Sequence, residues 1–283
     1  MSGEPDRHYI VARSVLLDAL EALGAQRKAV ILIGAQAIYL HTGAVELAIA
    51  EFTTDADLAL DPVLLQPAPE IESAMTAAGF FRGNRIGAWV VSRDIDGTPT
   101  HVEVDLMVPE AVGGGGSRAA RLDGHAKHVA GKARGLEAAL VDKRATIIAA
   151  LDAADARSFS IAAAGSAALI VSKMHKIRER LAERTLRRLD DKDALDVLRL
   201  LQATRTEALA ATFAQLLNTD VSKTVTDEAL TTLKELFADP RAIGAQMAVR
   251  SAGPLAAPDE IAGSCAVLAS DLVAAVDRPR QRS

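Results

Sequence analysis

Residues 30–60 read VILIGAQAIYLHTGAVELAIAEFTTDADLAL, and this stretch decides the fold predicted for the chain. It predicts a short buried strand, a tight turn at Gly34, a helix that extends to about His41 and, after a loop, a second strand. The second strand carries Asp55 and Asp57, separated by one residue. Because side chains alternate along a strand, both carboxylates should project from one face. The other face then supplies core residues, namely Ala56, Leu58 and Leu60.

A further acidic pair follows in HVEVDLMV, residues 101–108. Glu103 and Asp105 alternate there with apolar residues, which predicts another strand with its acids on one face. If this strand lies beside the first, Asp105 joins Asp55 and Asp57 in a three-carboxylate cluster, and Glu103 is the rival third member. Carboxylates held side by side repel each other unless a cation lies between them, so the pattern predicts a divalent metal site at Asp55, Asp57 and Asp105.

The pattern along the rest of the chain predicts an α+β fold. Residues 1–164 mix strands with helices, which predicts a small mixed β-sheet domain flanked by helices. A hairpin turn is expected at residues 94–97, between two extended runs. Short apolar runs at 144–151 and 157–162 could add edge strands. Residues 165–283 show only helical spacing, which predicts an all-helical C-terminal domain. Helices are expected over residues 8–23, 70–78, 166–183, 190–203, 206–217, 224–237 and 257–276.

Composition narrows the class of protein. The 283 residues are 49% hydrophobic, enough for a large core. A net charge of −5 argues against a surface that binds nucleic acid nonspecifically everywhere, although seven Lys or Arg residues between positions 173 and 188 form a local positive patch. The only cysteine, Cys265, cannot form an internal disulfide, and no secretory signal is visible at the start, so a cytoplasmic protein is expected. No run of about 18 uncharged apolar residues occurs, so no membrane association is expected.

Four consecutive glycines, residues 113–116, precede a basic segment that contains His125 and His128. The glycine run could be a mobile loop that touches a phosphate, or a flexible surface excursion without a binding role. The two histidines have no partner at metal-ligand spacing and are interpreted as surface residues. Tyr39, His41 and Trp89 are interpreted as packing residues.

A second cluster lies downstream. Residues 169–180 read LIVSKMHKIRER and carry Lys173, Lys176 and Arg180, and residues 192–198 read KDALDVL. In the order of its motifs the chain resembles the nucleotidyltransferase superfamily, the polymerase-beta-like fold. These motifs are a strand, Gly34, a helix, a D-x-D strand and a later single acid, followed by this lysine helix and a basic-Asp-x-x-Asp helix. Within it the chain is most similar to the AbiEii and MenT type of toxin nucleotidyltransferase. The resemblance covers roughly residues 25–200.

The resemblance implies a role for each motif. Asp55, Asp57 and Asp105 would ligate Mg²⁺ or Mn²⁺, with Asp105 alternatively the base for an attacking hydroxyl. Lys173 would contact the triphosphate. Asp193 and Asp196 could hold that lysine in place or merely begin their helix near its positive end. The remaining residues with an implied nucleotide-binding role are Gly34, Ala35, Thr53, Thr54, Lys176, Arg180 and Asp193; a hydroxyl at Thr53 or Thr54 would also be a target for inactivating phosphorylation.

The activity so implied is transfer of a nucleoside monophosphate from an NTP to the 3′ end of tRNA, by a toxin paired with an antitoxin protein. Two alternatives stay open. One is a transferase that modifies a small hydroxylated molecule such as an aminoglycoside. The other is a catalytically silent nucleotidyltransferase fold that serves as a binding module, because Ala35 and Glu51 depart from the pattern of the superfamily.

Overall fold

The computed structural model describes residues 6–43, 53–183, 191–253 and 257–280. Glu51 lies outside them. The described residues fall into two compact units. The first unit draws on Met1–Ala37, Ala50–Ala133 and Lys143–Ala164, and the second on Ile38–Ile49, Arg134–Asp142 and Gly165–Ser283. The chain therefore passes between units at Ala164 and also at four earlier points, so that two short segments that precede Ala164 cluster with the C-terminal helices.

A mixed eight-stranded sheet forms the centre of the first unit. Its strands are β1 (Val30–Ile33), β2 (Asp55–Leu60), β3 (Phe81–Arg82), β4 (Ala88–Ile95), β5 (Thr98–Pro109), β6 (Gly131–Ala133), β7 (Lys143–Ala149) and β8 (Ser158–Ala164). The order is β3-β4-β5-β2-β1-β8-β7, with β6 paired to β5. Strands β2 and β5 are parallel, as are β1 and β8, whereas β1 and β2 are antiparallel. The prediction of an α+β fold with a mixed sheet is confirmed.

Helices α1 (Arg7–Leu23) and α3 (Ile71–Ala77) belong to this unit. Helix α1 begins where Asp6 accepts a hydrogen bond from the backbone N–H of His8, and it packs against β2, β4 and β5. The sheet residues beneath it include buried Leu58, Val104 and Leu106, and Arg93 of β4 pairs with Asp18 of the helix. The helix ends at Gly24, as its sequence indicates.

The hairpin of β4 and β5 lies where the sequence predicts it. Both turn residues, Asp96 and Gly97, have positive φ, which is the geometry of a two-residue turn that matches the twist of its strands. This turn sets the register of the pair and places Ala88 opposite Asp105. The residue opposite Asp105 on β4 therefore follows from the turn.

One expectation for the sheet needs correction. Residues 157–162 could have formed an edge strand, but β8 lies inside the sheet, antiparallel to β7 and parallel to β1. Its residues Ile161 and Ala163 are buried, so the strand is covered rather than exposed. Strand β7 is the one that occupies the edge.

Described residues of the second unit are helical. They include the end of α2 (Gly34–Thr42) and α4 (Glu137–Val141), followed by α5 (Ser166–Ala182), α6 (Lys192–Ala203), α7 (Thr206–Leu217), α8 (Asp220–Phe237), α9 (Ile243–Ala252) and α10 (Pro258–Arg280). The helices expected beyond residue 165 are confirmed, and α9 is an addition that the sequence did not predict. Its second residue, Gly244, is a packing contact: a β-carbon there would lie 2.6 Å from the ring of Phe237. Glycine is required at this position because α8 approaches it closely.

Among the described residues, no helix is both long enough and apolar enough to cross a membrane. Cys265 is buried in α10 and has no disulfide partner.

Candidate functional site

Strands β2 and β5 bring four acids together in the first unit. Their register pairs Asp55 with Glu103 and Asp57 with Asp105. Paired residues on neighbouring strands project from the same face, so all four carboxylates share one side of the sheet. We call these four residues the carboxylate cluster. The opposite face is core, with exposure of 1% or less at Ala56, Leu58, Val104 and Leu106.

Asp105 is the most buried member of the carboxylate cluster, with a side chain 12% exposed. Burial raises the pKa of its carboxyl group, the negative charges of Glu103 and Asp55 raise it further, and Arg85 only partly offsets them, so the pKa rises to about 6. The raised pKa means that the ionised form of Asp105 is not fully stabilised by the positive charge of Arg85. The site would therefore gain from an additional cation.

Arg85 is the positive charge already at the carboxylate cluster. It lies between β3 and β4, and one guanidinium nitrogen is 3.0 Å from Glu103 Oε2 and 3.0 Å from Asp105 Oδ2. Its own pKa is raised, because Asp105 and Glu103 outweigh the effect of its partial burial. Arg85 lies outside the motifs that the sequence suggested. Counting back from the hairpin turn would have found it, since the partner of Asp105 is Ala88 and Arg85 lies three residues earlier.

Gly34 brings the start of α2 against Asp57. Its φ is +67°, and a β-carbon built there would lie 1.9 Å from Asp57 Oδ2. Only glycine leaves room for this carboxylate at the first turn of the helix. The sequence pattern of a strand, a glycine turn and a helix thus positions Asp57 as well as the backbone. Ala35 follows as a buried residue, 8% exposed.

Thr53 and Thr54 have different environments. Thr53 is 2% exposed, and its hydroxyl donates to Asp55 Oδ1 at 2.5 Å. Thr54 is exposed. Thr53 therefore orients a carboxylate of the cluster, and Thr54 is the more accessible of the two candidate phosphorylation sites.

A series of buried side-chain hydrogen bonds supports the strand that carries Asp55, and no sequence motif indicated this series. The Gln36 side chain, 1% exposed, donates to the backbone carbonyl of Asp55 at 3.1 Å. Its amide oxygen accepts from Arg13 Nε at 2.8 Å, and Arg13 also donates to the hydroxyl of Tyr9 and the carbonyl of Ala149. A glutamine inside a short helix gave no local signal of this role. Its partners are Arg13 of α1 and Asp55 of β2, and Arg13 in turn contacts β7.

The donor set suits the divalent cation implied by the resemblance. Carboxylate oxygens are the ligands that Mg²⁺ and Mn²⁺ prefer, and four carboxylates lie on one face of the sheet. The guanidinium of Arg85 already places a positive charge beside them. In the described part of the chain, however, no three His, Cys, Asp or Glu side chains are grouped as a ready-made metal site. Glu103 and Asp105 are turned towards Arg85, and Asp55 towards Thr53. Side-chain rotation on a fixed backbone would be needed to surround an ion.

The lysine predicted to contact the triphosphate lies within the second unit. Lys173 of α5 is 5% exposed, and its ammonium donates to Asp193 Oδ1 at 2.5 Å and to Asp196 Oδ2 at 2.8 Å, both on α6. Burial by itself would lower the pKa of Lys173, but the two carboxylates outweigh it and hold the pKa above its usual range. Asp193 and Asp196 hold Lys173 in place. For Lys173 to contact a phosphate, its ammonium would have to give up its hydrogen bond to one of these carboxylates and form one to the phosphate.

More cations surround the same two acids. Asp193 also pairs with Lys176 at 3.4 Å and with Arg180 at 2.5 Å, and Asp196 pairs with Arg199 at 3.4 Å. Burial would raise the pKa of Asp193, but Lys173, Lys176 and Arg180 hold it well below its usual range. We call these six residues the ion-pair network: Lys173, Lys176, Arg180, Asp193, Asp196 and Arg199. Four cations face two acids, and Lys176 and Arg180 keep exposed side-chain fractions of 45% and 25%.

Tyr39, interpreted as a packing residue, is buried beside this network. The guanidinium of Arg199 lies 5.8 Å and the ammonium of Lys192 5.9 Å from its ring centroid. His41 is partly buried. Trp89, in the first unit, is 1% exposed and donates its indole N–H to the carbonyl of Val129. Both aromatic residues serve packing.

The glycine run and the histidines have structural partners. The ammonium of Lys132 donates to the carbonyls of Gly114 at 2.8 Å and Gly116 at 3.3 Å, which closes the run onto β6. His125 accepts from the backbone N–H of Ile71 and its other ring nitrogen contacts the carbonyl of Gln66. His125 therefore joins two loops rather than lying loose on the surface. His128 is exposed.

No protein-family model matches this sequence, and neither a curated protein nor a solved structure is significantly similar to it.

Proposed function

We propose that the protein is a metal-dependent nucleotidyltransferase that moves a nucleoside monophosphate from an NTP to the 3′ end of tRNA, acting as the toxin of a toxin–antitoxin pair. The observation that carries the proposal is the parallel pairing of Asp55 and Asp57 with Glu103 and Asp105, beside a glycine that opens a helix. The polymerase-beta-like superfamily that the sequence resembles has the same sequence of parts. The tRNA acceptor, the toxin role and the antitoxin partner rest on that resemblance.

Each residue of the carboxylate cluster has a proposed task. Asp55, Asp57 and Asp105 would hold Mg²⁺ or Mn²⁺, which when bound neutralises triphosphate charge and favours the in-line attack at the α phosphorus. Alternatively, Asp105 would be the base that accepts the proton of the attacking hydroxyl. That hydroxyl oxygen forms the new bond to phosphorus while the bond to the bridging oxygen breaks, which releases pyrophosphate. Thr53 keeps Asp55 oriented.

Phosphate contacts are proposed at two places. The first is the start of α2, where the backbone N–H groups of Gly34 and Ala35 would bind an anion favourably. In the second unit, Lys176 and Arg180 carry the exposed positive charge of the ion-pair network, and Lys173 lies behind them. Their phosphate could belong to the nucleotide or to the RNA acceptor.

The test is incubation of the purified protein with Mg²⁺, each α-labelled NTP in turn and total tRNA, with the label followed on a denaturing gel. We expect labelled tRNA, and a loss of at least about 100-fold in Asp57→Asn and Asp105→Asn. Asp96→Asn is the matched control: it makes the same change of charge in the exposed turn at the other end of the β4–β5 hairpin. Asparagine tolerates the positive φ of that position, so this variant should keep full activity.

Other outcomes select the alternatives. Label on an aminoglycoside supplied in place of tRNA indicates the small-molecule transferase. Binding of NTP without transfer to either acceptor indicates a silent binding module. Growth arrest on expression of the wild type, and normal growth with Asp57→Asn, would support the toxin role.

A further inference from the structure

We propose that Arg85 and the divalent cation compete for the Asp105 carboxylate, so that Arg85 holds Glu103 and Asp105 before the cation binds and moves away when it arrives. This inference rests on the proposed function, because it concerns the same carboxylate cluster. It assigns a positioning role to a residue outside the motifs that the sequence suggested.

The contacts of Arg85 place its positive charge on the carboxylate that the metal would use. A single guanidinium nitrogen lies 3.0 Å from Asp105 Oδ2 and 3.0 Å from Glu103 Oε2. A metal ligated by Asp105 would bring a second positive charge to the same carboxylate, and the two charges repel strongly at such a distance. Each cation would therefore weaken the binding of the other.

Arg85 is the one that can move. Its side chain is 64% exposed and extends from the turn between β3 and β4, whereas Asp105 is fixed in a central strand. An exposed arginine that loses a carboxylate regains water, so its release costs little.

The arrangement of the cluster agrees with this role. The backbone register already aligns four carboxylates, yet within the described residues no three acids are grouped as a metal site. Arg85 accounts for two of them, since it draws Glu103 and Asp105 to itself. Release of Arg85 would free both side chains to turn towards a common ion.

Binding of Mn²⁺ to the full chain, measured by the loss of its free EPR signal, tests the competition without any catalytic step. We expect Arg85→Ala to bind Mn²⁺ about five- to tenfold more tightly than the wild type, because two partly exposed ion pairs no longer oppose the metal. Arg85→Lys should lie between the two. Arg93→Ala is the matched control: it removes one positive charge from β4, and its partner Asp18 retains Arg157. It should bind Mn²⁺ as the wild type does.

A second measurement follows Arg85 itself. Arginine labelling with a phenylglyoxal reagent, read by peptide mass spectrometry, should modify Arg85 faster when Mn²⁺ is present and Arg93 at an unchanged rate. Equal Mn²⁺ affinity in the wild type and Arg85→Ala, or labelling of Arg85 that ignores Mn²⁺, overturns the competition and leaves the proposed function standing. Absence of Mn²⁺ binding in both proteins, together with absence of nucleotidyl transfer, overturns the proposed function and this inference with it.

Discussion

Asp57 and Asp105 lie directly opposite each other on two parallel strands, β2 and β5. A parallel pair requires a connection that crosses over, so residues 48 positions apart in the sequence become neighbours on one face. Two carboxylates in this position disfavour each other's ionised form. Burial raises the pKa of Asp105, and the negative charges of Glu103 and Asp55 raise it further, which is the physical basis for the metal site that we propose.

Gly34→Ala tests the contact between the helix start and Asp57. Alanine would pay the strain of a positive φ and would also meet the Asp57 carboxylate at 1.9 Å. Gly24→Ala is the control, because Gly24 also has a positive φ but has nothing within 4 Å of the added carbon. We expect Gly34→Ala to lower the free energy of unfolding by about 1–3 kcal/mol more than Gly24→Ala in urea denaturation. Equal losses would show that the close contact carries no energy.

Gln36→Leu tests the series of hydrogen bonds that supports Asp55. The leucine would leave the Asp55 carbonyl without its Gln36 donor and Arg13 Nε without its acceptor, both in a buried setting. We expect a loss of about 1–3 kcal/mol in the free energy of unfolding. Gln246→Leu, which removes an exposed hydrogen bond to Pro240, should change it by less than about 0.5 kcal/mol. Gln36→Glu keeps an acceptor for Arg13, so a smaller loss in that variant would assign the remaining energy to the Asp55 contact.

Lys173→Met tests whether the ion-pair network is structural. It removes the ammonium between Asp193 and Asp196 and leaves both acids buried. Breaking a buried pair in this way should cost about 3–5 kcal/mol, measured by chemical denaturation. Lys176→Met, which removes an exposed partner of Asp193, should cost less than about 1 kcal/mol. Similar losses in the two variants would contradict the burial of Lys173.

Asp105 predicts a pH dependence of stability. Its pKa in the folded protein, about 6, lies above the ordinary value of 3.8, so the folded state binds the proton more tightly than the unfolded state does. The stabilising contribution of this group is complete below about pH 4 and is lost as the pH rises through 6, by on the order of 2–3 kcal/mol. Denaturation in EDTA from pH 4 to pH 7 should show the wild type losing stability relative to Asp105→Asn across this range. A constant difference between the two proteins would contradict the raised pKa.

Much of the fold was readable from local pattern. The strand, glycine turn and helix of residues 30–42, the D-x-D strand and the hairpin turn at Asp96 and Gly97 each lie where the sequence predicts them. Alternation along β2 and β5 is a property of neighbouring residues, so it also fixed which side each acid takes. Helix α9 was not predicted, and the contact of its Gly244 with Phe237 is a tertiary relationship that cannot be read from neighbouring residues.

By itself, the sequence determined the types of element, the faces of the strands and the residues able to form the carboxylate cluster, because these depend on the chain's own periodicity. Only the tertiary structure decided that β5 lies beside β2, that Arg85 bridges Glu103 and Asp105, that Gln36 holds the Asp55 carbonyl, and that Lys173 is buried between two acids. Those relationships join residues distant in the chain. They depend on which elements pack together, and the free energy of that packing comes from contacts throughout the core rather than from any one segment.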